Sequence, residues 1–216
     1  MAEELLSTLE EKAAPGHAAL LVIDVQNDFV AAGGFFDRIG ADVGTIQKSI
    51  PRLARLIEHA REARMPVIFV QAIYDPQYLS APMRERNRRT GRDLPRCLTG
   101  TLGADFYAVR PAAAEPVVIK HRYSAVPNTP LVPLLKERGI RSLLLTGVAT
   151  DTCVESTARD AYFIDYYVTL VSDCCAAASA ADHAGALARF ERDYGAVVTS
   201  DDVITAWNRT LSALKA

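Results

Sequence analysis

Continuous aliphatic runs alternate with amphipathic stretches along this chain. Ala18 to Ile23 is apolar throughout and closes on Asp24, which suits a short strand buried on both faces. From about Lys48 to Arg64, Ile50, Leu53, Leu56, Ile57 and Ala60 recur at helical spacing, with arginines on the other side. Pro66 stops that helix and opens a second strand, Val67 to Gln71. Val117 to Lys120 reads as a third strand. Asn128-Thr129-Pro130 reads as a capped helix start, with Leu131, Leu134 and Leu135 as its buried stripe and Gly139 as its end. Ser142 to Thr146 is a fourth strand, Cys153 to about Ile164 a helix and Tyr166 to Val171 a fifth strand. Ala180 to Tyr194 is a further helix and Ala196 to Thr199 a last strand, and Ser200-Asp201-Asp202 caps a terminal helix.

This alternation predicts one α/β domain over residues 1–216. Its expected form is three-layered and doubly wound, a mostly parallel six-stranded sheet with helices on both faces. Residues 1–15 read as an N-terminal extension. Residues 72–116 have no clear period and read as an insertion or lid.

Half of the 216 residues are apolar and 23% are charged, which excludes a disordered chain. The apolar runs are far shorter than the ~18–20 residues of a membrane span, and Met1 to Pro15 lacks the apolar core of a secretory signal. A net charge of −2 gives no bulk attraction for nucleic acid. The four cysteines show neither CxxC nor zinc-finger spacing. The expectation is therefore a cytoplasmic protein with free thiols, bound to neither membrane nor nucleic acid. Cys97, Cys174 and Cys175 read as small buried hydrophobes.

In an open parallel sheet, ligands bind outside the carboxyl ends of the strands. The polar residues there are Asp24, Gln71, Lys120 and the turn Thr146 to Cys153, so an acid, a base and a thiol approach one edge. Cys153 stands where a helix begins. Unpaired N–H groups there favour a thiolate and can hold an oxyanion. With no His in that turn, an Asp at another strand end can serve as its base, balanced by a lysine. There is no GxGxxG after the first strand, no Walker sequence and no GxSxG elbow.

Three stretches carry a resemblance. They are Val22-Ile-Asp24-Val-Gln-Asn-Asp-Phe29, Lys120 with Arg122-Tyr123-Ser124, and Gly147-Val-Ala-Thr-Asp-Thr-Cys153-Val154. In this order they resemble the isochorismatase-like cysteine hydrolases from about Ala18 to Val203. The resemblance implies a catalytic triad of Asp24, Lys120 and Cys153, a cis peptide between Val148 and Ala149, and an oxyanion hole from the N–H groups of Ala149 and Cys153. It implies two-step acyl transfer through a thioester, with ammonia released and no metal or other cofactor. It also implies a homodimer or homotetramer.

Within that family, Cys153 favours C–N hydrolysis over vinyl-ether cleavage. Many nicotinamidases place an Asp and two His after the second strand. This chain has Gln71-Ala-Ile-Tyr-Asp-Pro-Gln-Tyr78 there. The stretches around Lys120 and Cys153 are similar to ureidoacrylate amidohydrolases. Gly33 to Asp37 and Asp173 to Cys175 look equally like biuret hydrolases. Ala72 stands where ureidoacrylate enzymes tend to carry Asn. The expected partner is a small amide or ureide of the ureidoacrylate, biuret or triuret type. A nicotinamidase, an N-carbamoylsarcosine-type amidase and a non-catalytic ligand-binding member are the alternatives. A flat, donor-rich ureide needs acceptors such as Gln71 and Asn27 and walls such as Phe29, Phe35, Phe36, Tyr74 and Tyr123. The phenylalanines serve equally as core, and Asn27 equally as a turn cap. Arg84 to Arg96 holds six arginines. It reads either as a lid that clamps a substrate carboxylate or as a solvated loop or subunit contact.

Overall fold

The computed structural model describes residues 5–213, with side chains through 210. Six parallel strands form one sheet: β1 Ala18–Ile23, β2 Val67–Ala72, β3 Val117–Lys120, β4 Ser142–Val148, β5 Tyr167–Ala176 and β6 Ala196–Val198, in the order β3-β2-β1-β4-β5-β6. The expected sheet is present, and it is wholly rather than mostly parallel. Ten helices accompany it among the described residues: α1 Leu9–Lys12, α2 Asn27–Val30, α3 Phe35–Arg38, α4 Val43–Gln47, α5 Ile50–Glu62, α6 Ala81–Arg89, α7 Leu131–Glu137, α8 Glu155–Tyr162, α9 Ala180–Asp193 and α10 Ser200–Ala213.

Every residue of β1 is buried, because successive side chains enter opposite layers. Ala18, Leu20 and Val22 join the core with Leu53, Leu56 and Ile57 of α5 and Val203, Ile204 and Trp207 of α10. Ala19, Leu21 and Ile23 pack with Leu131 and Leu135 of α7, Ala158 and Ala161 of α8 and Phe190 of α9. A continuous aliphatic run therefore becomes the central strand of a three-layer stack. No helix of the described residues is long and apolar enough to cross a membrane.

Two caps differ from the sequence reading. Asn128 takes a left-handed backbone (φ 57°), and Thr129 Oγ1 accepts from Leu131 N–H in its place. Ahead of α10, Thr199 and Asp202 cap one another, while Ser200 bonds to Asp173. The aperiodic segment after β2 holds a short 3-10 turn, Pro76–Tyr78, then α6 and a long irregular loop. That loop is fastened to the carboxyl end of β1. Gln26 Nε2 donates to the carbonyls of Ala72 and Ala104, its Oε1 accepts from Ala72 N–H, and Tyr107 N–H donates to Val25.

Candidate active site

Between β1 and β4 the strand order changes direction, which is where a crevice opens in doubly wound sheets. Asp24 follows β1 there in a left-handed backbone (φ 53°), a conformation that Asp tolerates better than most residues. β4 approaches β1 closely at Gly147 (φ 110°), where an added Cβ would lie 2.0 Å from the Ile23 carbonyl oxygen. The pairing of β4 with β5 also shifts between Leu145 and Gly147. The chain then passes a cis peptide, Val148–Ala149, into a π-helical turn, Thr150–Val154, that runs into α8. Cys153 sits in that turn.

Lys120 ends β3, two strands from β1, and its long side chain brings Nζ to 2.7 Å from Asp24 Oδ2. Nζ also donates to the Arg122 carbonyl at 2.9 Å. Both members of the ion pair are fully buried. Cys153 lies near enough to Asp24 and Lys120 for both charges to act on its thiol, and it keeps 6% exposure. Acid, ammonium and thiol thus meet in one place, with the sulfur at the surface of a cavity.

The three groups titrate as a unit. Burial raises the Asp24 pKa, opposed chiefly by the Lys120 charge. Burial disfavours the Lys120 ammonium, yet Asp24, Cys153 and Tyr74 together hold its pKa above the ordinary lysine value. Cys153 is pushed up to about 12 by burial and by the Asp24 charge, with Lys120 opposing. The resting thiol is therefore protonated beside a carboxylate of raised basicity and a permanent cation. Such a set can pass the thiol proton to the acid as the sulfur attacks.

The cavity above Cys153 has a volume of about 130 Å³. Phe29, Phe35 and Phe36 wall one part, and Tyr74, Tyr123 and Ala149 complete the expected set. Gln71 and Asn27 do not line it. Gln71 Nε2 donates to the Ala104 carbonyl, and Asn27 Nδ2 to the carbonyls of Leu102 and Asp105. Both amides use their N–H donors to hold down the irregular loop. His121 bonds the Ile73 carbonyl and stacks on Tyr78.

Within the arginine-rich segment, the sequence points to Arg84, Arg86 and Arg88 as candidates for an anionic substrate; of these only Arg86 lines the cavity, joined by Arg92 and Arg96 and by Asp151 and Asp182. It also missed Asp28. That carboxylate is buried and accepts from the N–H groups of Phe35 and Cys97, which joins the aromatic wall to the loop carrying Arg96. Cys97, Cys153, Cys174 and Cys175 are all free and buried. No group of three or more His, Cys, Asp or Glu able to hold a metal ion is found among the described residues.

The chain is similar to known proteins over most of its length. The Isochorismatase domain model matches residues 18–202. Ureidoacrylate amidohydrolase RutB of Enterobacter sp. (strain 638) is 40% identical over 174 residues, covering 74% of this chain and 75% of that protein. RutB of Variovorax paradoxus (strain S110) is 34% identical over 209 residues, covering 88% and 81%. Among solved structures, an isochorismatase-like hydrolase from Alkaliphilus metalliredigens superposes with a TM-score of 0.72 at 30% identity, over 88% of this chain and 99% of that one.

Proposed function

The chain belongs to the isochorismatase family and is a hydrolase of amide C–N bonds, and from that premise we propose that it is a cysteine-dependent amidohydrolase of a small ureido compound. The observation that carries the cysteine chemistry is that Cys153 lines a cavity and lies within the electrostatic reach of the buried Asp24–Lys120 ion pair. The similarity to RutB proteins supports a ureide of the ureidoacrylate type over nicotinamide.

Asp24 takes the proton of Cys153 as the sulfur attacks the ureide carbonyl. The N–H groups of Ala149 and Cys153 hold the oxyanion. Asp24 returns the proton to the departing nitrogen, and the acyl group remains on sulfur as a thioester-like carbamoyl. Asp24 then activates the water that releases it. Lys120 stays protonated throughout and keeps the carboxylate in place. A ureide carbonyl has two C–N bonds. Whichever breaks, a monosubstituted ureide and water end as the amine, carbon dioxide and ammonia, because the carbamate formed decomposes. The volume of about 130 Å³ suits such a substrate. It is close to the ~150 Å³ of an engineered cavity that takes benzene.

The test is ammonia release from ureidoacrylate, biuret, triuret, N-carbamoyl amino acids and nicotinamide side by side. A ureide is expected to be turned over fastest, with Cys153→Ala inactive. Full activity in Cys153→Ala, or nicotinamide as the preferred substrate, would overturn the reading.

A further inference from the structure

The cavity beside Cys153 contains a buried cation without an anion. Arg96 keeps only 6% exposure and lines the cavity. Its guanidinium carbon lies 4.8 Å from the centre of the Phe35 ring and 5.0 Å from that of Tyr74, two walls of the same cavity. Stacking engages the faces of a guanidinium and leaves its N–H donors pointing outward in the plane. Of the five donors, one reaches an acceptor, Asn87 Oδ1 at 3.4 Å, and Arg86 shares that oxygen at the same distance. Among the described residues no carboxylate forms an ion pair with Arg96. Asp28 is engaged by the N–H groups of Phe35 and Cys97.

A charge withdrawn from water in this way is costly unless something pairs with it. Its neighbours are fixed in place. The Pro95 carbonyl accepts from Arg38, the Cys97 N–H donates to Asp28, and the Cys97 carbonyl accepts from Tyr74 N–H. The loop therefore presents Arg96 to the cavity on a rigid support. Asp151, two residues before the nucleophile, lines the same cavity, and its Oδ1 has no hydrogen-bond partner.

Resting on the hydrolase reading above, we propose that Arg96 pairs with a carboxylate of the substrate. The substrate class is then an anionic ureido acid and not a neutral ureide such as biuret. The planar fork of Arg96 binds the carboxylate in a two-pronged pair, Asp151 accepts from the ureido nitrogen, and Arg86 and Arg92 add positive potential.

Binding is measured by titration calorimetry on the Cys153→Ala protein, so that turnover does not intervene. The probes are 3-ureidoacrylate and its neutral primary carboxamide. A hydrogen-bonded charge contact corresponds to about 10- to 100-fold in affinity, so the carboxylate should bind tighter by that factor. Arg96→Gln in the same background should abolish the preference by weakening only the anion, and Arg96→Lys should keep part of it. Thermal unfolding of each variant reports whether it folds. In the otherwise unmodified enzyme, Arg96→Gln should raise KM for 3-ureidoacrylate with a much smaller change in kcat. Equal affinity for the two probes in the parent protein overturns the proposal even if no Arg96 variant folds, and leaves the hydrolase reading standing. Anion preference that depends on Arg96, without ammonia release from any ureide, supports the carboxylate site while removing the hydrolase reading.

Discussion

Burial makes Asp24, Lys120 and Cys153 a single proton-holding unit, and its pH behaviour follows from the signs of their shifts. The Asp24 pKa is raised by burial above the ordinary value of 3.8. As pH falls through the raised value, the carboxylate gains a proton and, on the proposed mechanism, Cys153 loses its base. The profile of kcat/KM should therefore drop on the acid side at a pH above 3.8. On the basic side, Lys120 titrates above 10.5 and Cys153 near 12, so both keep their protons through neutral pH and the profile stays flat there. An acid limb at or below the ordinary carboxylate value would contradict Asp24 as the base. These three residues were legible in the sequence because chemistry-bearing side chains at strand ends stand out against aliphatic runs. Arg96 and Asp28 were not singled out. Each lies where no period marks which side chain turns inward, and their roles come from backbone partners distant in sequence, such as Cys97 N–H for Asp28.

Elements, not loops, set the spacing between acid and thiol. β1 and β4 pair from Ala18↔Ser142 to Ile23↔Gly147, and the residues just beyond that last pair lead to Asp24 and to the Cys153 turn. Gly147 is the tightest point, with a positive φ and no room for a Cβ against Ile23. Gly147→Ala should cost about 3–5 kcal/mol from backbone strain and overpacking combined, read by urea denaturation. Residual activity should fall further than the folded fraction, because the shift separates Asp24 from Cys153. A variant that folds and works normally would show that this contact does not set the site. All six strands were readable from their aliphatic content, and α5 and α9 from their amphipathic period. The one-turn helices α2 and α3 were not, since four residues are too few to show a period. α6 escaped for another reason: it buries only Asn87 among its nine residues, so it carries no apolar stripe.

At the scale of the molecule, the irregular loop before β3 completes the pocket. Sequence reading identified residues 72–116 as an insertion but not where it docks, because docking rests on scattered polar contacts and not on an apolar face. Those contacts run through the first motif. Gln26 and Asn27 tie the loop to the end of β1, and Asp28 joins the Cys97 N–H to the Phe35 N–H. Gly103 packs so closely on the Asp28 carboxylate that a Cβ there would lie 2.2 Å from Oδ2. The stretch from Val22 to Phe29 therefore holds Asp24 at one end and the anchor of the cavity-lining loop at the other. Asp28→Ala leaves two buried N–H groups without their charged acceptor, a loss of about 2–4 kcal/mol. That loss should be local: Asp24, Lys120 and Cys153 are held by β1, β3 and the turn after β4, none of which depends on Asp28. Hydrogen exchange should accelerate at residues 95–106 while the strands stay protected. KM should rise more than kcat falls, because the loop positions Arg96 while the triad stays assembled. If kcat collapses with KM unchanged, the loop acts on the nucleophile and not on substrate capture.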